Sequence, residues 1–155
     1  MASIQFDGYV IEKSFYEVNP EFDITSVVSE VVIKPQFQAS VAVTDGLGIV
    51  RIGILISMED LEKEETIKCP FDLEVVIKGE FEYSMQSDDE YETIKELLSS
   101  NTVAILYPYL RSYVSNLTSM SNQYPAYTLP VFNFVEMLKQ ENLIEFYDFN
   151  EESVE

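Results

Sequence analysis

Phe71-Asp72-Leu73-Glu74-Val75-Val76-Ile77-Lys78-Gly79-Glu80-Phe81-Glu82-Tyr83, then Ser87-Asp88-Asp89-Glu90, then Tyr91, Ile94, Leu97 and Leu98, is where the chain changes its period. In the first part Phe71, Leu73, Val75, Ile77, Phe81 and Tyr83 share one face, and Asp72, Glu74, Lys78, Glu80 and Glu82 share the other. That period of two predicts a strand with one face buried and one wet. Ser87 to Glu90 reads as a capping box, in which Ser87 and Glu90 satisfy each other's backbone N–H groups. The apolar residues after it recur at helical spacing.

Strands are predicted upstream of this switch. Val31 to Val43 alternates, with Pro35 inside it, which suits an edge or a bend because proline donates no ladder bond. Asp45-Gly46-Leu47-Gly48 is a turn, and Val50, Ile52, Ile54, Ile56 and Met58 alternate after it, so these two runs form a hairpin. Ile4 to Val18 is also strand-like and changes phase near Gly8, the mark of a bulge. Asn19 to Ser29 reads as a crossover, and Glu59 to Glu65 as a charged connector.

Helices are predicted downstream. Ser99-Ser100-Asn101 interrupts the first, and Asn101 can cap a second whose apolar set is Val103, Leu106, Tyr107, Leu110, Tyr113, Val114 and Leu117. Pro108 either kinks that helix or lies in its first turn. Tyr124 to Pro130 is an aromatic loop, and Val131 to Gln140 returns to helix. Strands first and helices second predict an α+β fold, an antiparallel four-stranded sheet with helices packed on one face. The expected organisation is a single domain over residues 1–147 and an acidic flexible tail over 148–155.

The chain has 155 residues, one domain's worth. Its 9 Lys and Arg against 28 Asp and Glu give a net charge of −19, which argues against direct nucleic-acid binding and against an anionic membrane surface. There is no histidine, so the commonest general base and the commonest metal ligand are missing. The one cysteine, Cys69, permits no internal disulfide and no thiolate zinc cage. It reads as a passive, half-buried thiol. The N-terminal residues show no signal pattern and no apolar run matches a membrane span, so a cytoplasmic protein is expected. No enzymatic role, metal or cofactor is expected; the glycine turns lack a phosphate-loop lysine and the carboxylates fall mostly on wet faces.

Aromatic residues are the remaining signal, with 10 Tyr, 10 Phe and no Trp. Tyr107, Tyr109, Tyr113, Tyr124 and Tyr127 crowd together in sequence. Tyrosine brings large contact area, few rotatable bonds and a polar tip, which suits a wet binding surface. Tyr107 is in phase with the core stripe. Tyr109 is out of phase with it, and Tyr124 and Tyr127 lie on the loop; for these, groove lining and plain packing are both open.

Leu106-Tyr107-Pro108-Tyr109-Leu110-Arg111, Ser115-Asn116-Leu117-Thr118-Ser119, Tyr124-Pro125, and Leu129-Pro130-Val131 with Asn133-Phe134 resemble the SecB family of protein-export chaperones. That family shows an L-F-P-Y-A-R helix start, an S-x-x-V/L-S run, an F-P-x-x-x-L loop and a P-x-N-F helix start, in this order. Leu110 stands where the family has a small residue, and Phe132 is an extra residue before Asn133. The resemblance implies an ATP-independent holdase for unfolded or precursor polypeptides, assembled as a homotetramer, a dimer of dimers. It implies delivery to the translocase ATPase SecA or, in divergent members, protection of an antitoxin in a toxin–antitoxin system. Carried onto matching positions, it places Tyr109, Tyr124, Pro125 and Leu129 at a client-binding groove, to which the aromatic-loop reading adds Tyr127, and Leu106 and Tyr107 in the core. The wet face of the last strand, Asp72, Glu74, Glu80 and Glu82, is either a candidate partner-docking surface or, the favoured reading, a plain solvated face, and Arg111 either an ion-pair partner or a plain surface charge. An adaptor that binds one folded partner, and a small-molecule-binding domain or enzyme using buried carboxylates, are the rival readings.

Overall fold

A computed structural model describes residues 2–22, 33–57, 69–130 and 133–149. In chain order these hold strands β1 (Ser3–Val18), β2 (Gln36–Thr44), β3 (Leu47–Ile56) and β4 (Phe71–Ser84), helices α1 (Tyr91–Met120) and α2 (Phe134–Gln140), and strand β5 (Ile144–Asp148). The sheet order is β1-β4-β3-β2-β5. Sheet and helices form the expected α+β layers, but the strand count and direction need correcting. The sheet has five strands, and β5 runs parallel to β2 while the other pairings are antiparallel. The fifth strand escapes a pattern search because it is short, and its alternation, Ile144 and Phe146 against Glu145 and Tyr147, spans barely one period more than chance supplies. Asp148, grouped with the tail by sequence, is the last residue of this strand.

The hairpin forms as read. Asp45 (φ 39°) and Gly46 (φ 82°) both take positive φ, the requirement of a two-residue loop whose twist matches its strands. The phase change in β1 is a bulge at Gly8 (φ 132°), and a second register shift falls between Ile11 and Lys13. β2 begins immediately after Pro35, where the missing N–H costs no ladder bond. The remainder of the crossover beyond Phe22, the start of the Val31 run and the charged connector lie outside the described residues.

Helix α1 is continuous for 30 residues, and the expected break at Ser99-Ser100-Asn101 does not occur. Its buried row, Ile94, Leu98, Thr102, Val103, Leu106, Leu110, Val114 and Thr118, runs straight through that stretch. Burial of one apolar face outweighs the weak helix propensity of three polar residues. The Thr102 and Thr118 hydroxyls are satisfied inside the helix, on the Leu98 and Val114 carbonyls. Pro108 sits in the helix interior, on the exposed side with Ala104, whose carbonyl it leaves without a helical donor. At the N-terminal end the capping box is altered: Ser87 makes no side-chain cap bond, and the Glu90 carboxylate accepts from the Gln86 N–H at 2.9 Å. Asn133 caps α2 by accepting from the Glu136 N–H.

Two glycines of the sheet lie directly under side chains of α1. A Cβ on Gly48 would lie 2.8 Å from Leu98 Cδ2, and one on Gly79 would lie 2.8 Å from Leu106 Cδ2 and 2.9 Å from a Phe81 ring carbon. Those distances are below contact, so the bare backbone lets α1 sit down onto β3 and β4. Gly79→Ala is expected to destabilise the fold by about 1–3 kcal/mol through overpacking. Urea unfolding checks it; an unchanged midpoint sinks the assignment.

Candidate functional site

Strand β1 is an edge, paired with β4 alone among the described strands. After its first bulge the residues that face the helix layer include Tyr9, Ile11, Ser14 and Tyr16, opposite Gly79, Ile77, Val75 and Leu73 of β4. The flank of α1 lies beside this row and carries Tyr109 and Tyr113. The rings of Tyr9 and Tyr109 pack in a tilted pair at 4.6 Å between centroids, and the Phe6 ring stands 6.0 Å from Tyr109 and stacks on Phe81 at 5.0 Å. Further along, the Tyr113 hydroxyl donates to Ser14 Oγ at 2.8 Å, and Ser121 Oγ donates to the Tyr16 hydroxyl at 3.0 Å. Tyr16 then packs on Phe71, which meets Tyr127, and Phe22 meets Tyr124 edge-on at 5.5 Å. The result is an aromatic seam between an edge strand and a helix, ending at the loop after α1.

Three polar fasteners hold that loop to α1. The Tyr107 hydroxyl donates to the Pro130 carbonyl at 2.8 Å, Arg111 Nε to the Leu129 carbonyl at 2.7 Å, and the Tyr127 N–H to Thr118 Oγ1 at 2.8 Å. Arg111 thus serves a backbone carbonyl, a role that charge counting does not suggest. On the other side, Asn19 is buried. Its side chain donates to the Cys69 carbonyl and accepts from the Glu21 N–H, while its own N–H donates to the Pro70 carbonyl. Asn19 therefore ties the exit of β1 to the approach to β4, beside the Phe22–Tyr124 contact.

The sequence-derived groove residues divide. Tyr109 is 40% exposed and lies on the seam. Tyr124 and Tyr127 are half-buried at its end, and Pro125 is exposed beside them. Leu129, expected at the groove, is fully enclosed in the core, held there by the loop's fastening to Arg111. Leu106 and Tyr107 are core residues, as read. Missed were Phe6, Tyr9 and Tyr16, because the two β1 bulges scramble the alternation that would have aligned them, and Phe22, which follows β1 and belongs to no periodic run. Met120, 83% exposed at the C-terminal end of α1, was also missed; an exposed methionine is an adaptable apolar contact.

Asp72, Glu74, Glu80 and Glu82 do point away from the helices, on the sheet's open face. Cations stand among them. Lys13 pairs with Glu74 at 2.5 Å, Arg51 Nε with Glu12 at 2.9 Å, and Lys78 lies between Glu74 and Glu80 on β4. Arg51 draws the Glu12 carboxyl below the usual carboxylate range, chiefly through that hydrogen bond. A hollow of about 600 Å³ also lies on this side among the described residues, lined in part by Gly53, Val76, Leu55, Leu143 and Glu74. The rings that make sequence-tolerant contacts are elsewhere, so the seam, shallow as it is, remains the better candidate for polypeptide.

Cys69 is fully buried rather than half-buried, and desolvation pushes its thiol up, so it suits packing and not nucleophilic chemistry. Among the described residues, no group of three or more Cys, Asp or Glu side chains is arranged to hold a metal ion, and no helix is long and apolar enough to cross a membrane. Tyr107 stacks on Phe134 at 4.2 Å, and its burial raises the phenol to about 12. Its unfolded value is near 10.0, so the neutral phenol's share of stability is intact below pH 10.0 and is lost as pH rises toward about 12. Alkaline unfolding followed by tyrosinate absorbance is expected to shift to higher pH in Tyr107→Phe relative to the parent once their neutral-pH stabilities are matched. A parallel pH profile would refute the buried-phenol account.

No protein-family model matches the chain. An uncharacterized protein of Methanocaldococcus jannaschii is 34% identical over 87 residues, covering 52% of this chain and 54% of that protein, so the chain spans about half the length of the curated relative it matches. Among solved structures, the SecB-like chaperone Rv1957 of Mycobacterium tuberculosis, in complex with a peptide from the HigA1 antitoxin, superposes with a TM-score of 0.59. The match covers 83% of this chain and 87% of that chain at 18% identity. A protein of unknown function from Streptococcus agalactiae matches with a TM-score of 0.42 at 15% identity, over 84% of this chain and 99% of that chain. The fold is SecB-like, in agreement with the motifs of the C-terminal third.

Proposed function

We propose that this SecB-like chain is an ATP-independent chaperone that holds a non-native polypeptide segment along the aromatic seam between β1 and α1. The observation that carries the reading is the Tyr9–Tyr109 pair, two tilted rings 44% and 40% exposed with centroids 4.6 Å apart on a body of net charge −19. Exposed rings are an aggregation liability unless they have a partner, and strong like charge opposes non-specific aggregation while leaving the rings available. A segment laid on the seam exchanges water for ring faces and keeps hydroxyl groups within reach of its backbone. Such contacts tolerate many side chains, because they read surface and not shape.

The client favoured is an antitoxin-type segment in a toxin–antitoxin system, a reading supported by the antitoxin peptide carried by the Mycobacterium tuberculosis neighbour. Delivery of precursors to SecA has less support. Its docking surface was to be acidic, and Lys13, Arg51 and Lys78 interrupt the open face where Asp72, Glu74, Glu80 and Glu82 lie. Assembly as a dimer of dimers belongs to the same proposal, and the outer edge of β1 is the feature that favours it.

The test is suppression of aggregation of several unrelated unfolding proteins, with native mass measured in the presence and absence of client. Replacing Tyr9 and Tyr109 by Ser is expected to weaken client binding about tenfold or more, as loss of an aromatic hot spot does, with little change in melting temperature. Suppression of no client, with one tight folded partner found instead, would establish an adaptor. A collapse of the thermal transition in the double variant would make the seam part of the core and end the proposal.

A further inference from the structure

The parallel pairing in the sheet is made by its shortest strand. β5 lies on β2 from Ala39↔Ile144 to Val43↔Asp148. None of its residues is fully buried, although Ile144 and Phe146 pack against the core, while Ala39, Val41 and Val43 beside it on β2 are buried. The far end of β5 is held to the first turns of α1 by side chains. The Tyr91 hydroxyl donates to the Asp148 carboxylate, and the Lys95 ammonium stands 4.9 Å from the Phe146 ring centroid. The near end leaves α2 through Glu141, Asn142 (φ 56°) and Leu143, with the Leu143 N–H on the Leu138 carbonyl. The Ala39 N–H donates to the Leu143 carbonyl at 3.3 Å. By the two-residue period of a strand, the N–H groups of Val41 and Val43 face β5 as well.

The edge of β2 is thus a formed template. Its inner row belongs to the core, and its partner contributes no fully buried residue and pairs in the weaker, parallel sense. The geometry points to β5 as a resident strand that an extended polypeptide segment replaces, making the β2 edge a second polypeptide-acceptor site apart from the aromatic seam. The resident strand specifies what the edge takes. The incoming segment runs parallel to β2, sets apolar residues two apart toward the helix layer as Ile144 and Phe146 do, and offers Tyr91 an acceptor where Asp148 does. The occupant is a segment of a client chain supplied in trans.

A fluorescein-labelled peptide with the sequence of residues 142–149 serves as the probe, with the full chain as receptor. Ser40 and Glu145 are register partners on the open face, away from the core, so Ser40→Cys with Glu145→Cys can lock β5 in place by a disulfide. The parent is expected to take up the peptide, the oxidised lock to take up about tenfold less, and reduction to restore uptake. Tyr91→Phe, which frees Asp148 from that hydroxyl, is expected to raise uptake and to speed amide exchange at Val41 and Val43 while Ile52 and Ile77 stay protected. Peptide uptake that ignores the lock overturns the inference. So does exchange at Val41 and Val43 as slow as at Ile52 in the Tyr91→Phe protein. Concentration-dependent dimers without peptide uptake also overturn it, since they place a second copy's β5 at the edge. The inference does not rest on the seam: Tyr9→Ser with Tyr109→Ser is expected to leave peptide uptake intact, so either proposal can fail while the other stands.

Discussion

Helix α1 lies on this sheet over the bare backbone of Gly48 and Gly79. Leu98 and Leu106 project into the space that side chains at those positions would fill. The close approach sets the height of the helix along its whole length, since a helix is stiff and its buried row from Ile94 to Thr118 must follow. That height in turn places the flank of α1 beside β1, where Tyr109 meets Tyr9 and Tyr113 reaches Ser14. It also places Tyr107, Arg111 and Thr118 within hydrogen-bonding distance of the following loop. The seam is therefore a consequence of how near the two layers come, and not a separate device added to the fold.

The two faces of the sheet divide the chemistry. The helix side is dry in its centre and aromatic at its β1 margin, where burial is incomplete. The open side carries carboxylates with cations set among them, together with exposed Val10, Phe15 and Leu55. Exposed ion pairs of this kind contribute about 0–1 kcal/mol each, so Lys13–Glu74 and Arg51–Glu12 matter less for stability than for the potential they present. They moderate an otherwise acidic surface at its middle. The excess negative charge elsewhere opposes non-specific aggregation of a molecule that exposes rings.

Much of this architecture was legible in the residues. The alternation of β4, the Asp45-Gly46 turn and the bulge at Gly8 each have a local cause, either side-chain period or the freedom of φ at glycine, and local causes are written in local sequence. The C-terminal motifs pointed to the same SecB-like fold that the superposition shows. Where reading failed, a distant contact decided. Ser99-Ser100-Asn101 stays helical because the rows on either side of it are buried against the sheet. Leu129 is enclosed because Arg111 and Tyr107 draw its loop inward.

By itself the sequence determined the strand and helix periods, the hairpin, the charge of −19 and the absence of histidine chemistry, since these follow from residue identity and spacing alone. Only the tertiary structure decided that Tyr9 and Tyr16 join Tyr109 on one seam, that β5 closes the edge of β2, and that cations stand among the carboxylates of the open face. Each of those depends on which residues are brought together across long stretches of chain, and register between strands is set by the packed core, not by either strand alone.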